Sequence, residues 1–479
     1  MMLTIRRCVP FVVLALTAIA PSVVLAQGCL SGTLADEFTA DRMGLVREWI
    51  IQLPSMAPGR KLETVSFGPG LVVAETGDGA VHAIQASPTS GVVPPPGVPF
   101  PGTLLWSQPV GRPGGKLEQA GIGSDLVVVS QDKDVYGLER STGRQRWRET
   151  EKNLATAGAA AIGTWVYSPN GSGMTRFAAT PLRQPVDAPQ PTPADASRKE
   201  GTSPQNAKAP TKKGKGKQAK KRTESLLPSD IDTGGVVAYQ PVSLEEGVLW
   251  CTTDGLLVTL QPTEVEWRRL EFTLENPPAG APTVRGRSIF AATTNGDLAR
   301  IDLPAKMTKR AQLELVWHVV LSGPAESSAF VAGDTVVVSL GELGIAAYSA
   351  ETGAPLWQTC FPGTILSVGG GRVWLVDRVG RLSSLDLADG MRRETLCLGP
   401  FTLPIVNLQD DRLLLASPSG MIVSLSPRTA TPVVEPEAPA DRDTLPAPPA
   451  DADTEPMADT EAMPEAEPSE EMAAPDENQ

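Results

Sequence analysis

"DVYGLERSTGRQRW", residues 134–147, is a short apolar strand that runs into Ser-Thr-Gly and returns through a basic turn to a lone Trp147. "GIAAYSAETGAPLW", residues 344–357, has the same construction and ends on Trp357. One such unit cannot bury its apolar faces alone, so its recurrence decides the architecture. Working outward from the two copies, turn residues recur at Gly79, Gly173, Gly255, Gly296, Gly344, Gly380 and Gly420, with Lys133-Asp134 taking one place. With the Pro-rich stretch 88–102 and the Lys-rich stretch 185–230 set aside, the period is about 40 residues, the length of a four-stranded propeller blade.

Within each unit the same hairpin is legible. "GVLWCTTDGLLVTLQP" (247–262), "SIFAATTNGDLARIDL" (288–303), "RVWLVDRVGRLSSLDL" (372–387) and "RLLLASPSGMIVSLSP" (412–427) are β-rich runs broken at a Gly-containing turn, the composition that tight hairpins require. A further strand carries Trp106, Trp147, Trp267, Trp317 or Trp357, a large flat surface suited to packing against a neighbouring blade. The eighth hairpin ends near Pro427 without a fourth strand. "LVREWIIQLP", residues 45–54, supplies one, with Trp49 placed as Trp357 is in its own unit. The expected fold is therefore an all-β, eight-bladed β-propeller of four-stranded antiparallel blades, with seven blades as the alternative. The chain's two ends would meet in the last blade and remove an exposed sheet edge.

"LERSTGRQRW" and "YSAETGAPLW" resemble the pyrroloquinoline-quinone (PQQ) repeat, whose pattern is Ala-x-Asp-x-x-Thr-Gly-x-x-x-Trp; Asp302 and Asp386 match its Asp. The resemblance implies a PQQ-like β-propeller. It admits two functions: a PQQ-dependent quinoprotein dehydrogenase, or a non-catalytic scaffold similar to the propeller lipoproteins of outer-membrane barrel assembly. The dehydrogenases bring a calcium ion, a catalytic Asp and usually an adjacent Cys-Cys disulfide. This chain has no adjacent cysteines, and the scaffold is the reading adopted, with no cofactor, no metal and no catalytic residue expected.

Residues 1–26 do not belong to the ring. Arg6 and Arg7 precede the apolar run 9–20, and Val24-Leu25-Ala26 follows, the build of a secretory signal peptide too short to span a bilayer. Two readings stand for the next residues. "LAQGC" resembles a bacterial lipobox, which makes Cys29 a lipidation candidate able to tether the protein to a membrane. Ordinary cleavage after Ala26 leaves a soluble protein instead. The domain map is then signal peptide 1–26, N-terminal linker 27–44, propeller 45–430 with a disordered basic insertion 185–230, and a disordered acidic tail 431–479.

The net charge of −13 is unevenly spread. Residues 435–479 hold 15 Asp or Glu against one Arg, and residues 198–222 hold 10 Lys or Arg against one Glu. Neither stretch has the apolar content to offset the entropy of ordering. Export argues against nucleic acid as the partner of "KKGKGKQAKKR"; it reads as a solvated insertion without a partner, with a polyanion at the envelope or the protein's own acidic tail as the alternatives. For the scaffold itself a protein partner at the cell envelope is expected, in the periplasm or at the outer membrane, for a monomeric chain. His82 and His318, the only two histidines, fall in strands of distant repeats and read as structural. Glu245-Glu246 reads as a turn. Cys251, Cys360 and Cys397 form no C-x-x-C zinc motif; Cys360 and Cys397 occupy matching places in consecutive repeats, so pairing between them is one option and isolated buried thiols the other.

Overall fold

In the computed structural model, residues 37–54, 59–86, 99–180, 229–262, 267–308 and 310–428 are described. They form eight four-stranded antiparallel sheets. In chain order the blades span 62–109, 121–150, 160–232, 242–273, 283–320, 330–359, 364–397 and 403–427, numbered I to VIII, with strands A to D from the axis outward. The A strands of successive blades touch from blade I to blade VII, the A strand of blade VII touches strand B of blade VIII, and Gln409 of blade VIII donates to the Phe67 carbonyl of blade I at 2.9 Å. Eight blades, not seven, close the circle.

Blade VIII takes its D strand, Leu45–Gln52, from the start of the chain, paired antiparallel with Met421–Pro427. This is the closure the missing fourth strand demands. A short helix, Glu37–Arg42, precedes it. Ala40 and Met43 extend into an apolar cluster with Trp374, Leu382 and Leu398 of blade VII and Leu413 of blade VIII.

The tryptophans explain how one blade grips the next. In blades I, II, V, VI and VIII the D strand carries a Trp, and the C–D register shifts at the residue just before it: Leu105, Arg146, Val316, Leu356 and Glu48. Such a bulge re-aims the following side chain. Trp106 then lies on Gly143 of blade II, Trp317 on Gly353 of blade VI, Trp357 on Gly390 of blade VII, and Trp49 on Gly102 of blade I. At Gly143 a Cβ would come within 2.5 Å of the Trp106 ring, and the backbone has φ +71°, so only glycine serves. The indole N–H groups donate across the same joints: Trp106 to the Arg140 carbonyl at 2.7 Å, Trp317 to Ala350 at 3.1 Å and Trp357 to Leu387 at 2.8 Å. The Thr-Gly of the repeat thus receives the Trp of the preceding blade. Trp147 faces blade III and donates to Ala179 at 3.2 Å.

Three sequence expectations need correction. Trp267 is not a D-strand packing Trp of this kind: it pairs with Pro262, and Leu270 occupies the equivalent register opposite Thr259. No bulge is present in that ladder, so the side chains fall differently. The guanidinium carbon of Arg176 instead lies over the Trp267 ring at 5.2 Å and over the Trp165 ring at 4.4 Å. In blade III the turn glycine is Gly171, with φ +55°, while Gly173 begins the C strand. Strand D of blade III starts at Ser229, two residues inside the span read as insertion. The second unit's turn does without glycine by placing Asp132 at φ +56°.

Because neighbouring strands are antiparallel, A–B and C–D turns share one face of the ring, and B–C turns share the other. The insertion connects strand C (Gly173–Ala178) to strand D (Ser229–Asp232) of blade III, so it departs on the A–B face. Strand C of blade VIII ends at Pro427 on that same face. Residues 1–36, 181–228 and 429–479, which hold the signal-like segment, Cys29 and most of both charged stretches, lie outside the described residues.

Candidate docking face

The B–C face of blades V, VI and VII gathers exposed apolar side chains. Val320 ends strand D of blade V beside Asp297 and is 73% exposed. Leu343 lies in the B–C turn of blade VI, and Val379, 78% exposed, is in that of blade VII. Contacts between blades, and one within the blade VII turn, hold these turns in place. Arg378 pairs with Glu342, Ser322 donates to Gln358 at 3.1 Å, and Arg381 meets Asp377 at 2.7 Å. Burial pushes the Asp377 carboxyl up, but the backbone and side chain of Arg381 and the Val379 N–H outweigh it and hold it below the usual range. A depression of about 290 Å³ lies between blades VI and VII, lined by Glu326, Pro362, Gly363, Arg378 and Pro404 among others. Apolar knobs rimmed by fixed ion pairs are the make-up of a protein-binding patch. Phe38, Phe100 and Met391 are also exposed, on the opposite, A–B face.

His318 adjoins this arc. Its Nε2 is 3.1 Å from Asp297 Oδ1, while Asn276 and Thr293 donate to Asp297 Oδ2 at 2.6 and 3.1 Å. Burial raises the Asp297 carboxyl, and these donors more than compensate, holding it below its ordinary value. The other histidine, His82, is in blade I, halfway round the ring, so the two cannot share a site. Burial lowers its pKa and keeps it neutral at pH 7.

Glu75 is the most unusual titratable group. It is fully buried, and neither carboxyl oxygen has a hydrogen-bond partner among the described residues. Burial first, then the charges of Glu118 and Glu63, raise its pKa well above 4.5. Glu75 and His82 do not make an acid–base pair. Alternation puts Glu75 with Leu71 and Val73 on the side facing blade II, and His82 with Ile84 on the side facing blade VIII. Glu75→Gln is expected to stabilise the ring progressively as pH rises. Near pH 4 both carboxyls, folded and unfolded, are largely protonated and the difference is small. Above that the unfolded carboxyl ionises while the buried one stays protonated, so the native protein loses about 1.4 kcal/mol per pH unit until the raised folded pKa is reached. Thermal melts of both proteins between about pH 4 and 8 check this; a difference independent of pH would refute it.

The remaining sequence candidates have structural explanations. Asp386 accepts from the Ala388 N–H and from Arg393, capping the C–D turn, and Asp302 pairs with Arg300. Glu245 and Glu246 form the A–B turn between Val242–Leu244 and Gly247–Cys251. Cys251 is buried and free, its thiol pushed up to about 12 by burial, and Cys360 is free and exposed. Cys397 is disulfide-bonded, so it is not paired with Cys360. Sequence reasoning missed the arc itself. Its only linear trace is one apolar residue in each of the turns "GEL" and "RVG".

The quinone that the repeat's name implies can be set against these residues. None of the A strands lining the axis carries a tryptophan. The D-strand tryptophans are committed to joints between blades, and Trp250 and Trp374 are fully buried. A planar cofactor at the axis would find no indole to stack on, so the residues present do not fit it. On the A–B face of blades V to VIII a cavity of about 540 Å³ is lined by Arg285, Gly369, Gly370, Gly371 and Asp411 among others.

Residues 306–444 match the family model described as outer membrane protein assembly factor BamB. No curated protein matches the chain. Among solved structures, BamB from Moraxella catarrhalis is 17% identical over 79% of this chain and 98% of its own, with a TM-score of 0.49. The computationally designed Ika8 protein is 11% identical over 78% and 98%, with a TM-score of 0.51. Sqt1 of Saccharomyces cerevisiae is 10% identical over 78% and 98%, with a TM-score of 0.50. At these identities the structural likeness shows the fold alone. The chain is thus an eight-bladed propeller built on PQQ-type repeats, similar in its later blades to the BamB family.

Proposed function

We propose that this chain is an exported, non-catalytic scaffold of the cell envelope that docks a protein partner on the B–C face of blades V to VII. The observation that carries the reading is the arc of Val320, Leu343 and Val379, which lies opposite the face on which strand C of blades III and VIII ends. The family match over residues 306–444 covers blades VI to VIII and part of V, and supports a scaffold. Residues 1–26 serve as the export signal, and the ring folds without the two charged stretches. The dehydrogenase reading fares worse, because the axis offers no stacking surface for a quinone and His318 contacts Asp297 on the docking rim.

The test is to replace Val320, Leu343 and Val379 together by Asp and to compare cross-linked captures from an envelope extract. The triple variant is expected to lose a partner that the native ring retains, while its melting temperature shifts by no more than about a degree or two, since exposed positions contribute little to stability. Equal capture by both proteins would move the docking face elsewhere.

A further inference from the structure

We infer that strand D of blade V is a strand-addition site, taken by an extended segment of the docked partner with apolar residues at its centre and Lys or Arg at its ends. The inference deepens the docking reading above and rests on it. Glu314–Val320 is the outermost strand of its sheet. It pairs with Asp297–Asp302 along one edge, and no strand pairs with the other edge among the described residues. Leu315, Val316 and Val320 are exposed, which leaves an apolar edge open to water.

Unpaired edges invite strand addition, and proteins guard them with proline, charge or shortness. The other D strands are guarded in these ways. Proline stands in blades I and VI (Pro109 and Pro355), arginine in blades II, IV, VII and VIII, and blade III has a strand of only four residues. Strand D of blade V has seven residues and holds no Pro, Lys or Arg. The bulge at Val316 bends its start, but Trp317 to Val320 continue in regular register. That regular half ends at Val320, so a strand added there runs onto the docking arc. Main-chain pairing would then supply affinity and alternate side chains specificity.

The charges along this edge select the occupant. Glu314 lies opposite Asp302 at one end, and Val320 lies opposite Asp297 at the other. Asp302 is engaged by Arg300, whereas Glu314 has no ion pair among the described residues. A two-fold pairing of this strand with itself about Trp317 would bring the Glu314 of each copy to the end that holds the other's Asp297, like charge toward like. A segment ending in Lys or Arg meets a carboxylate at both ends instead.

The probe is a labelled synthetic peptide of about ten residues, Val and Thr alternating between terminal lysines, added to the full chain. Fluorescence anisotropy should show saturable binding that weakens with salt, and amide hydrogen exchange should slow across residues 314–320. The same peptide with alternate backbone amides N-methylated should not bind, because methylation removes the donors that pair with the edge. Val316→Lys with Val320→Lys should weaken binding at least about tenfold while the melting temperature holds, since it guards the edge and sets like charges together. Absence of binding, equal binding of the methylated peptide, or protection confined to other residues would overturn the proposal. So would a dimer of the free protein that the Lys variant abolishes, which gives the edge to a second copy. Protection of every amide of the strand in the free monomer would also overturn it, by giving the edge to the chain itself. The docking reading fails separately, through equal capture by the triple Asp variant.

Discussion

Deletion of Leu45–Gln52 is expected to leave no cooperatively folded ring. That strand supplies three things at once. It pairs with Met421–Pro427 along seven residue pairs from Leu45 to Gln52, and without it blade VIII would end in an open sheet edge. It brings Glu48, whose side chain is 9% exposed, to within 3.3 Å of Arg412, itself 6% exposed. Ser424 donates to the same Glu48 oxygen at 3.0 Å. Removing one partner of a buried pair costs about 3–5 kcal/mol, and here Asp410, at 3.3 Å, would be the remaining ion-pair partner of the guanidinium among the described residues. Finally the strand seats Trp49 against Gly102, in a cluster with Leu53, Leu62 and Ile422. Trp49→Ala alone should cost about 3–5 kcal/mol, whereas Trp49→Phe, which keeps most of the apolar volume, should cost clearly less. Denaturant melts of the point variants and size-exclusion chromatography of the deletion measure these outcomes. An unchanged midpoint for Trp49→Ala would show that the ring does not depend on this closure.

The second large effect is expected at the joint between blades I and II. Gly143→Ala must hold a Cβ at φ +71° and place it 2.5 Å from the Trp106 ring. Gly286→Ala is the matched control: its φ is +57°, and a Cβ there meets nothing within 4 Å. The left-handed backbone alone costs about 1–2 kcal/mol for an L-residue, which is the whole cost expected at Gly286. Overpacking adds about 1–3 kcal/mol at Gly143, because Trp106 cannot retreat without losing its 2.7 Å hydrogen bond to the Arg140 carbonyl. The pair Gly143→Ala and Trp106→Ala should be non-additive, since truncating the indole vacates the space the new methyl needs. Equal destabilisation by Gly143→Ala and Gly286→Ala would mean that glycine is required there only for backbone freedom.

Blade number, hairpin turns and ring closure were legible in the linear sequence because each depends on local chemistry. A strand with one buried face alternates, a tight turn calls for glycine or a residue that tolerates positive φ, and a missing fourth strand has to come from somewhere. Blade IV marks where that legibility stops. Trp267 and Trp357 look alike in sequence, but a bulge before Trp357 turns it onto Gly390, while the regular ladder of blade IV gives that position to Leu270.

The linear order of residues thus specifies the repeat, its count and the way the ring closes. Which tryptophan meets which glycine is settled in three dimensions, since a one-residue shift in register turns a side chain to the other side of the sheet. The same holds for the cysteines: Cys397 is bonded and Cys360 is not, although the two occupy matching places in their repeats. The docking arc belongs to the same class. Val320, Leu343 and Val379 are far apart in the chain, and each is an ordinary apolar residue when read alone. They become neighbours because antiparallel blades bring every B–C turn to one face, and adjacency around a ring is a property of the closed fold.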